Sequence, residues 1–508
     1  MAERKVCSLE ELKKFVSTAK SKGECVVHAH GTFDLLHLGH VKHLKAGRLL
    51  GDKLVVTITG DAFVNKGPGR PVFGEHQRAE MLSSLDCVDF VAINQTPDAV
   101  PVIEFIQPSV YLKGQDYQNP EGDLTGRIVD EKNAVEAVGG KIHFTQEEMH
   151  SSSELINQHW NVYEPQLREL VDKVRGGYGS DYMLGLLEKV NDYKVLVIGD
   201  AIIDEYSYVQ PMAKSAKENM IASRFQETEC FPGGVFATAN DVASICGSVD
   251  VLTVLGERNT YKDLIDERLS SNVRLLEYTK KAAPTTRKRR FVDFGSMKKL
   301  FEVYYMDDSP LLESLSNEIS SWLQANLSSY DLVIVNDFGH GMLDERLIKT
   351  LCDHSPYLAV NAQSNAGNMG YNLITKYPRA DYFCIDAPEA RLAARDRFSP
   401  ISDVIEKSLA PSLKCEKAIV THGKHGCVAY SKGQASHTVP AFTTRALDTV
   451  GAGDGFLSIS APLVHSGVQM VHAALIGNIA GALKTEIIGH RNYLDKVAIQ
   501  KAITALFK

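Results

Sequence analysis

A short apolar run, Cys25-Val-Val-His28-Ala29, leads into Gly31-Thr32-Phe33-Asp34-Leu-Leu-His37-Leu-Gly39-His40 and then into a helical segment, Val41–Leu50. A buried strand that passes through glycine into a helix is the repeating unit of parallel α/β sheets. The rhythm continues. Lys53–Thr59, Phe90–Ile93 and Ser109–Leu112 read as strands, and Glu75–Leu85 and Val100–Ile106 as helices. Ligands of such sheets bind outside the carboxyl ends of the strands, so chemistry is expected in the turns that follow Ala29 and Leu112.

The first turn carries two imidazoles. His37 and His40 are three apart, a spacing that on a first helical turn aims both rings at one point. Free backbone N–H groups and the positive end of the helix dipole favour phosphate at that point. Imidazole bonds phosphate oxygens whether neutral or protonated. Asn65-Lys66-Gly-Pro-Gly-Arg70-Pro71 is a basic loop that either grips phosphates or simply turns. Lys113-Gly-Gln-Asp116-Tyr117 follows a strand and places a cation and a carboxylate at its ligand end. Ser151, Ser152 and Ser153 either cap a helix or offer hydroxyl and N–H groups to a triphosphate. Arg78 is either a surface residue or a phosphate ligand.

At 508 residues the chain is too long for one ordinary core. From about Glu154 to Asp192 the pattern is charged and helical. A second start follows, Lys194-Val-Leu-Val-Ile198 with Gly199-Asp200 and Asp204. Further strands are expected at Val249–Leu255, Leu332–Val335, Tyr357–Val360, Tyr382–Ile385 and Ala418–Thr421. The expected division is a domain over 1–158, a helical linker over 159–192 and a second α/β domain over 193–508. Late in that domain Asp448-Thr-Val-Gly451-Ala452-Gly453-Asp454 precedes a helical run. Its glycines permit close backbone approach, the helix start offers N–H groups to an oxyanion, and Asp454 is the candidate base for a hydroxyl proton. Arg287-Lys288-Arg-Arg290, with Lys298 and Lys299 after it, is the one dense basic run and is either a solvated face or a phosphate site.

A net charge of −8 argues against a broad nucleic-acid footprint. Nine scattered cysteines without a CxxC pair fit reduced thiols. The amino terminus lacks an apolar signal core and no apolar run reaches membrane-spanning length. A cytoplasmic protein that binds neither membrane nor nucleic acid is expected.

The segment from about 25 to 158 resembles the cytidylyltransferase-like nucleotidyltransferases through Gly31–Asp34, His37–His40, Lys66-Gly…Arg70-Pro71, Lys113–Tyr117 and Ser151–Ser153. It is most similar to the adenylyltransferase half of the bifunctional heptose-7-phosphate kinase/heptose-1-phosphate adenylyltransferases. Gly31-Thr-Phe-Asp also resembles glycerol-phosphate cytidylyltransferases, which leaves ATP and CTP both open, and His30 stands where an Asn is expected. The resemblance implies a Rossmann-like sheet and in-line attack of a sugar-phosphate oxygen on the α-phosphorus of a Mg²⁺-bound NTP. It implies that His37, His40 and Lys113 act on the reacting phosphate and that Asp34 orients the turn. The nucleotide would be held by Gly31, Thr32, Phe33, Asp34, Lys42, Lys66, Arg70 and Ser151–Ser153. Lys42 has the alternative of being merely solvated.

From about 193 to 505 the chain is similar to ribokinase-like (PfkB) carbohydrate kinases, through Gly199-Asp200…Asp204, Pro232-Gly233-Gly234, Asp337-Phe-Gly-His-Gly341, Thr421–Gly426 and Asp448–Asp454. This implies a ribokinase-like α/β domain with a small lid sheet and Asp454 as base. Gly451, Ala452 and Gly453 would form the anion hole, and Thr421, Gly423 and Gly426 would meet the nucleotide. Asp200, Asp204, Gly233 and Gly234 would meet the sugar, Asp337 the phosphates, Lys288 and Arg290 a substrate phosphate, and Glu389 a Mg²⁺ ion. Ala237, Asn361-Ala362 and Asp386 depart from the family's Asn, Asp-Pro and Asn. Together the two resemblances imply a bifunctional enzyme that phosphorylates a sugar or sugar phosphate and then makes an NDP-sugar, as a homodimer, with its halves in the reverse order to the heptose enzyme. The alternative is a nucleotidyltransferase whose kinase-like domain only binds ligand or mediates assembly.

Overall fold

Runs rich in Val, Ile and Leu supply the strands of the amino-terminal sheet: Val26–Gly31 (β1), Lys53–Thr59 (β2), Phe90–Asn94 (β3), Val110–Gly114 (β4) and Lys141–Thr145 (β5). They pair in parallel in the order β3-β2-β1-β4-β5. Successive side chains of a strand point to opposite faces. Val26 and Val55 accordingly pack with Leu12, Val16 and Ile103, while Val27 and Val56 pack with Leu44, Leu82 and Leu112. Helices thus cover both faces, which is why β1 to β4 are largely buried on both sides, whereas the edge strand β5 alternates exposed and covered residues. The strand order reverses between β1 and β4, so the turns after Gly31 and Lys113 open on the topological switch point where ligands of such sheets lie.

The computed structural model describes residues 5–64, 66, 70–118, 127–145, 164–215, 217–442 and 446–507. It divides into two compact units, Met1–Val162 with Gln500–Lys508, and Tyr163–Ile499. Ser151, Ser152 and Ser153 lie outside the described residues. The helices Pro165–Gly177 and Ser180–Glu188 fall within the second unit and bury Leu167, Val171, Val174, Met183, Leu186 and Leu187 at helical spacing.

The second unit is built on nine strands: Lys194–Gly199 (β6), Ser248–Arg258 (β9), Val273–Pro284 (β10), Leu332–Asp337 (β13), Leu358–Ala362 (β14), Tyr382–Asp386 (β15), Lys417–Thr421 (β16), Cys427–Ser431 (β17) and His437–Val439 (β18). Their order is β10-β9-β6-β13-β14-β15-β16-β17-β18, parallel except for the pairings made by β17. A four-stranded sheet comprises Ala201–Lys214 (β7), Ile221–Gly234 (β8), Thr286–Asp293 (β11) and Lys299–Tyr305 (β12), in the order β12-β11-β7-β8. Sequence patterning misses β7, β8, β11 and β12. β12 and the outer half of β8 are exposed on both faces, through Arg224, Phe225 and Glu227 on β8 and Leu300, Phe301 and Val303 on β12, so no clean apolar alternation marks them. The buried helices Val235–Ala243 and Ala452–His465 pack against each other below the site.

All nine cysteines are free, five of them buried and Cys7, Cys25, Cys87 and Cys230 half-buried. Among the described residues no helix is long and apolar enough to cross a membrane.

Candidate active sites

β1 ends at Gly31, against which the Phe33 ring lies 3.2 Å from the place a Cβ would occupy. Phe33 takes a left-handed backbone (φ 49°) and meets the His40 ring edge-on at 5.1 Å. The helix that follows is Leu38–Arg48, three residues earlier than its sequence pattern suggests, and His37 stands outside it as the N-cap. His37 Nδ1 accepts the Gly39 N–H at 3.1 Å, and the His37 and His40 ring centroids are 3.9 Å apart. The two imidazoles therefore converge as their spacing suggests, but as a cap and a first-turn residue rather than as two helical residues. Burial, followed by the nearby His37, Lys66 and His43, pushes the pKa of His40 down to about 3, so the ring is neutral. Lys66 is close enough to act on it.

The other basic residues expected here have these surroundings. Arg70 is buried with its Nε 3.2 Å from Asp34 Oδ2, while Asp34 Oδ1 accepts the Val72 N–H at 2.6 Å. Arg70 and Asp34 thus pin the loop to the turn, because a buried charge needs a partner. Arg78 is not a surface residue. Fully buried, it donates to the carbonyls of Thr32, Thr59 and Phe73 and to Asp61 Oδ1 at 2.6 Å, tying the β1 turn to the end of β2. Lys113 lies at the carboxyl end of β4 as expected, but 2.6 Å from Glu131, which compensates its charge. Lys42 is exposed. His30, at the position where Asn is expected, shares the Thr57 hydroxyl with His28, at 2.8 and 2.7 Å.

In the second unit a cavity of about 690 Å³ brings together Asp204, Gly234, Lys288 and Arg290, the turn residues Thr421, Gly423 and Gly426, and Gly451–Asp454. Gly451 has φ 76°, which only glycine adopts without strain, and the helix begins at Ala452. N–H groups in the first turn of a helix have no intrahelical partner and suit an anion, although here the Ala452 N–H already donates to the Thr449 carbonyl at 3.4 Å. Asp454 lies in that turn. Its Oδ1 accepts from the side-chain amides of Gln363 at 2.8 Å and Asn336 at 3.2 Å. Burial raises its pKa.

Strand alternation sorts the basic run. Arg287 and Arg289 pair with Glu205, whereas Lys288 and Arg290 line the cavity, with Arg290 bonded to Asp204 and 3.3 Å from Glu302. The solvated-face reading is thereby excluded for Lys288 and Arg290. Lys288 is buried, which lowers its pKa, and lies over the rings of Tyr304 and Phe338. A Cβ on Gly233 would stand 1.9 Å from Asp204 Oδ2, so the glycine of β8 makes room for the carboxylate of β7.

Asp200 and Asp337 do not reach the cavity wall formed by the described residues. Asp200 accepts the N–H groups of Phe338, His340 and Met342, and its pKa is pushed up to about 6 by burial and by Asp337. Asp337 lies 2.5 Å from Lys376 and accepts the Tyr377 hydroxyl and the Gly339 N–H. Both carboxylates build the turn after β13, because buried as they are they require several donors. Glu389 accepts the backbone N–H groups of Ser364 and Asp386, each at 3.0 Å, in a reciprocal helix cap with Asp386. Burial and Asp386 push its pKa up to about 8. A nearby cation would relieve that negative field, yet among the described residues no group of three or more metal-ligating side chains converges. Glu389, its pKa raised beside Asp386, fits the role of a single carboxylate ligand to such a cation. Ala237 is fully buried in its helix, and Asn361 donates to the Cys384 carbonyl at 2.8 Å.

Sequence reasoning misses Asn336 and Gln363, which hold Asp454. The departure at Asn361-Ala362 is the one signal near Gln363, and Asn336 has none beyond its place at a strand end.

Residues 192–496 match the family model for pfkB family carbohydrate kinases, and residues 28–158 that for cytidylyltransferase-like proteins. The order along this chain is thus nucleotidyltransferase first and kinase second, and these matches show no reversal of it. The chain is 43% identical over 143 residues to "Bifunctional protein HldE" of Geotalea uraniireducens, covering 28% of each. It is 39% identical over 157 residues to the protein of that name from Nitrosococcus oceani, covering 30% of this chain and 32% of the relative. The chain thus matches less than a third of the length of these curated relatives. Crystal structures of Escherichia coli phosphofructokinase-2 align over 62% of this chain and 100% of theirs, each with a TM-score of 0.51. The complex with potassium is 16% identical and that with fructose-6-phosphate 14%. At such identity the likeness is one of fold.

Proposed function

Because this chain belongs to the pfkB family of carbohydrate kinases, we propose that its C-terminal unit transfers a phosphoryl group from ATP to a sugar or sugar phosphate. Its N-terminal unit then transfers NMP from ATP or CTP to the sugar phosphate, giving an NDP-sugar and pyrophosphate. The observation that carries the reading is Asp454, presented in the first turn of a glycine-opened helix and fixed through one oxygen by two amides.

In the kinase unit Oδ2 of Asp454 takes the proton of the acceptor hydroxyl. The hydroxyl oxygen bonds the γ-phosphorus as the bond to the β-phosphate oxygen breaks. Burial makes the carboxylate a stronger base than a solvated one. The N–H groups at Gly451, Ala452 and Gly453 receive charge on the moving phosphoryl group. Asp204, with Arg290 and Lys288, holds the acceptor, and Thr421, Gly423 and Gly426 hold the nucleotide. Glu389 would hold a Mg²⁺ ion carried in with the nucleotide, which would supply charge neutralisation at the phosphates.

In the nucleotidyltransferase unit a sugar-phosphate oxygen attacks the α-phosphorus and pyrophosphate leaves, with no protein nucleophile. The neutral His40 and the capping His37 hydrogen-bond the phosphate, and Lys66 adds the cation. Gly31, Thr32 and Phe33 shape that pocket. A homodimer, formed through the apolar outer side of β12, and a reducing cytoplasm that suits nine free thiols complete the reading.

The test is mass spectrometry of products from a panel of aldohexoses, aldoheptoses and their phosphates incubated with MgATP or MgCTP. A sugar phosphate made by the wild type and not by Asp454→Asn, and an NDP-sugar lost in His37→Ala, are expected. An NDP-sugar formed without any kinase turnover would favour the alternative, in which the kinase-like unit only binds ligand, as the departures at Ala237, Asn361 and Asp386 suggest.

A further inference from the structure

His490 lines the cavity but belongs to none of the motifs that mark it. It is 2% exposed. Its Nε2 lies 3.4 Å from Asp204 Oδ2, and its Cε1 lies 2.5 Å from the position a Cβ on Gly451 would take. The imidazole therefore fills the gap between the acceptor carboxylate and the glycine that opens the transfer helix. Its mount is shared with that glycine. Asp448 accepts the N–H of Gly489 at 3.0 Å through one oxygen and that of Val450 at 3.0 Å through the other. Lys299 and Tyr206 hold the same carboxylate at 2.5 and 2.6 Å. The residues just before His490 and just before Gly451 thus hang from one anchored group, and Arg290 fixes the other oxygen of Asp204.

We propose that His490 is a positioning residue for phosphoryl transfer, setting the distance between the acceptor held by Asp204 and the anion-binding turn at Gly451. This rests on the kinase reading above. An acceptor seated by Asp204 then presents its hydroxyl to Asp454 in register with the phosphoryl group, and misplacement by about 1 Å lowers such rates by as much as ~10²-fold.

The experiment uses the full chain and whichever aldose or aldose phosphate of the panel the wild type phosphorylates fastest. Initial rates are measured with that acceptor varied at saturating MgATP, and with MgATP varied at saturating acceptor. His490→Leu is expected to raise the acceptor KM and lower kcat by about 10-fold each, with the MgATP KM within about 3-fold of wild type. His490→Gln, whose amide can still donate to Asp204, should recover the acceptor KM and leave kcat low. Gly451→Ala, which presses on the ring from the opposite side, should also raise the acceptor KM. If the Leu variant does not fold by circular dichroism, the Gln and Ala variants decide the matter. Wild-type acceptor KM and kcat in the folded variants would overturn the proposal, as would an effect confined to the MgATP KM. Absence of acceptor-dependent ADP formation by the wild type would instead overturn the kinase reading on which it stands.

Discussion

Around the His37–His40 turn the strong charges are locked into the framework: Arg70 against Asp34, Arg78 against Asp61, Lys113 against Glu131. In the C-terminal unit ion pairs occur too, Arg290 with Asp204 in the cavity and Lys299 with Asp448 near it, but the carboxyl of Asp454 is bonded to the neutral amides of Asn336 and Gln363. On the proposed reading, one site offers the uncharged imidazole of His40 to a phosphate that needs no proton removed, and the other offers a carboxylate to an alcohol that must lose one. The difference teaches that formal charge near a phosphate site is a poor guide to catalysis unless its partner is known.

The contrast is most severely tested at the base. Asp454→Asn is expected to lower acceptor-dependent ADP formation by ~10³-fold, within the range for loss of a general base, while NDP-sugar formation from supplied sugar 1-phosphate continues. Equal loss of both activities would break the comparison. His40→Ala should lower NDP-sugar formation by ~10²-fold and leave the kinase unchanged. Because His40 is already neutral above a pKa of about 3, its contribution should not vary between pH 6 and 8, and a rate that tracks an ionisation near 6.5 would assign the role to another group. Arg78→Met leaves Asp61 and three carbonyls without their donor and should destabilise the N-terminal unit by about 3 kcal/mol, read by chemical denaturation. If it instead raised the nucleotide KM at unchanged stability, Arg78 would be a phosphate ligand after all.

The effect that is smallest per residue is the most discriminating. His30, His40 and His43 have pKa values held down to about 3, 3 and 4 by burial, so the unfolded chain takes up protons below pH 6.5 that the folded one refuses. Stability of the N-terminal unit is complete above pH 6.5 and falls as pH drops, by up to about 2 kcal/mol per histidine at pH 5. In the C-terminal unit Glu389 and Asp200 are pushed up, to about 8 and 6, so the folded form binds the extra proton. Their contribution grows as pH falls through those values and is opposed in part by His340. Hydrogen exchange resolved by peptide at pH 7 and 5 should show protection lost in the first unit and held or gained in the second. A parallel loss in both would refute the assignment of opposite signs.

Much of this was legible in the sequence, for identifiable reasons. Lys53–Thr59 and Val100–Ile106 match the structure residue for residue, because apolar runs with clear period announce themselves. The glycine turns at Gly31 and Gly451 also stand where expected. Strands β7 and β8 escaped because most residues on the outer half of β8 are exposed and polar. Partners escaped for a deeper reason. Nothing in Arg70 or Asp200 reveals that the one closes on Asp34 and the other on three backbone N–H groups, since pairing across tens of residues is a property of the fold. His490 and Gln363 escaped likewise.

The alternation along β11 carries one last consequence. Its even-numbered cations, Lys288 and Arg290, look inward, and the odd-numbered Arg287 and Arg289 clasp Glu205. Deleting Thr286, the residue just before Arg287, would slide the strand by one position and exchange the two sets, swapping the cavity's cations for the clasp. Such a length change would leave composition and net charge almost untouched while rewriting what the pocket can hold, so indels here outrank most substitutions as a route to a different acceptor.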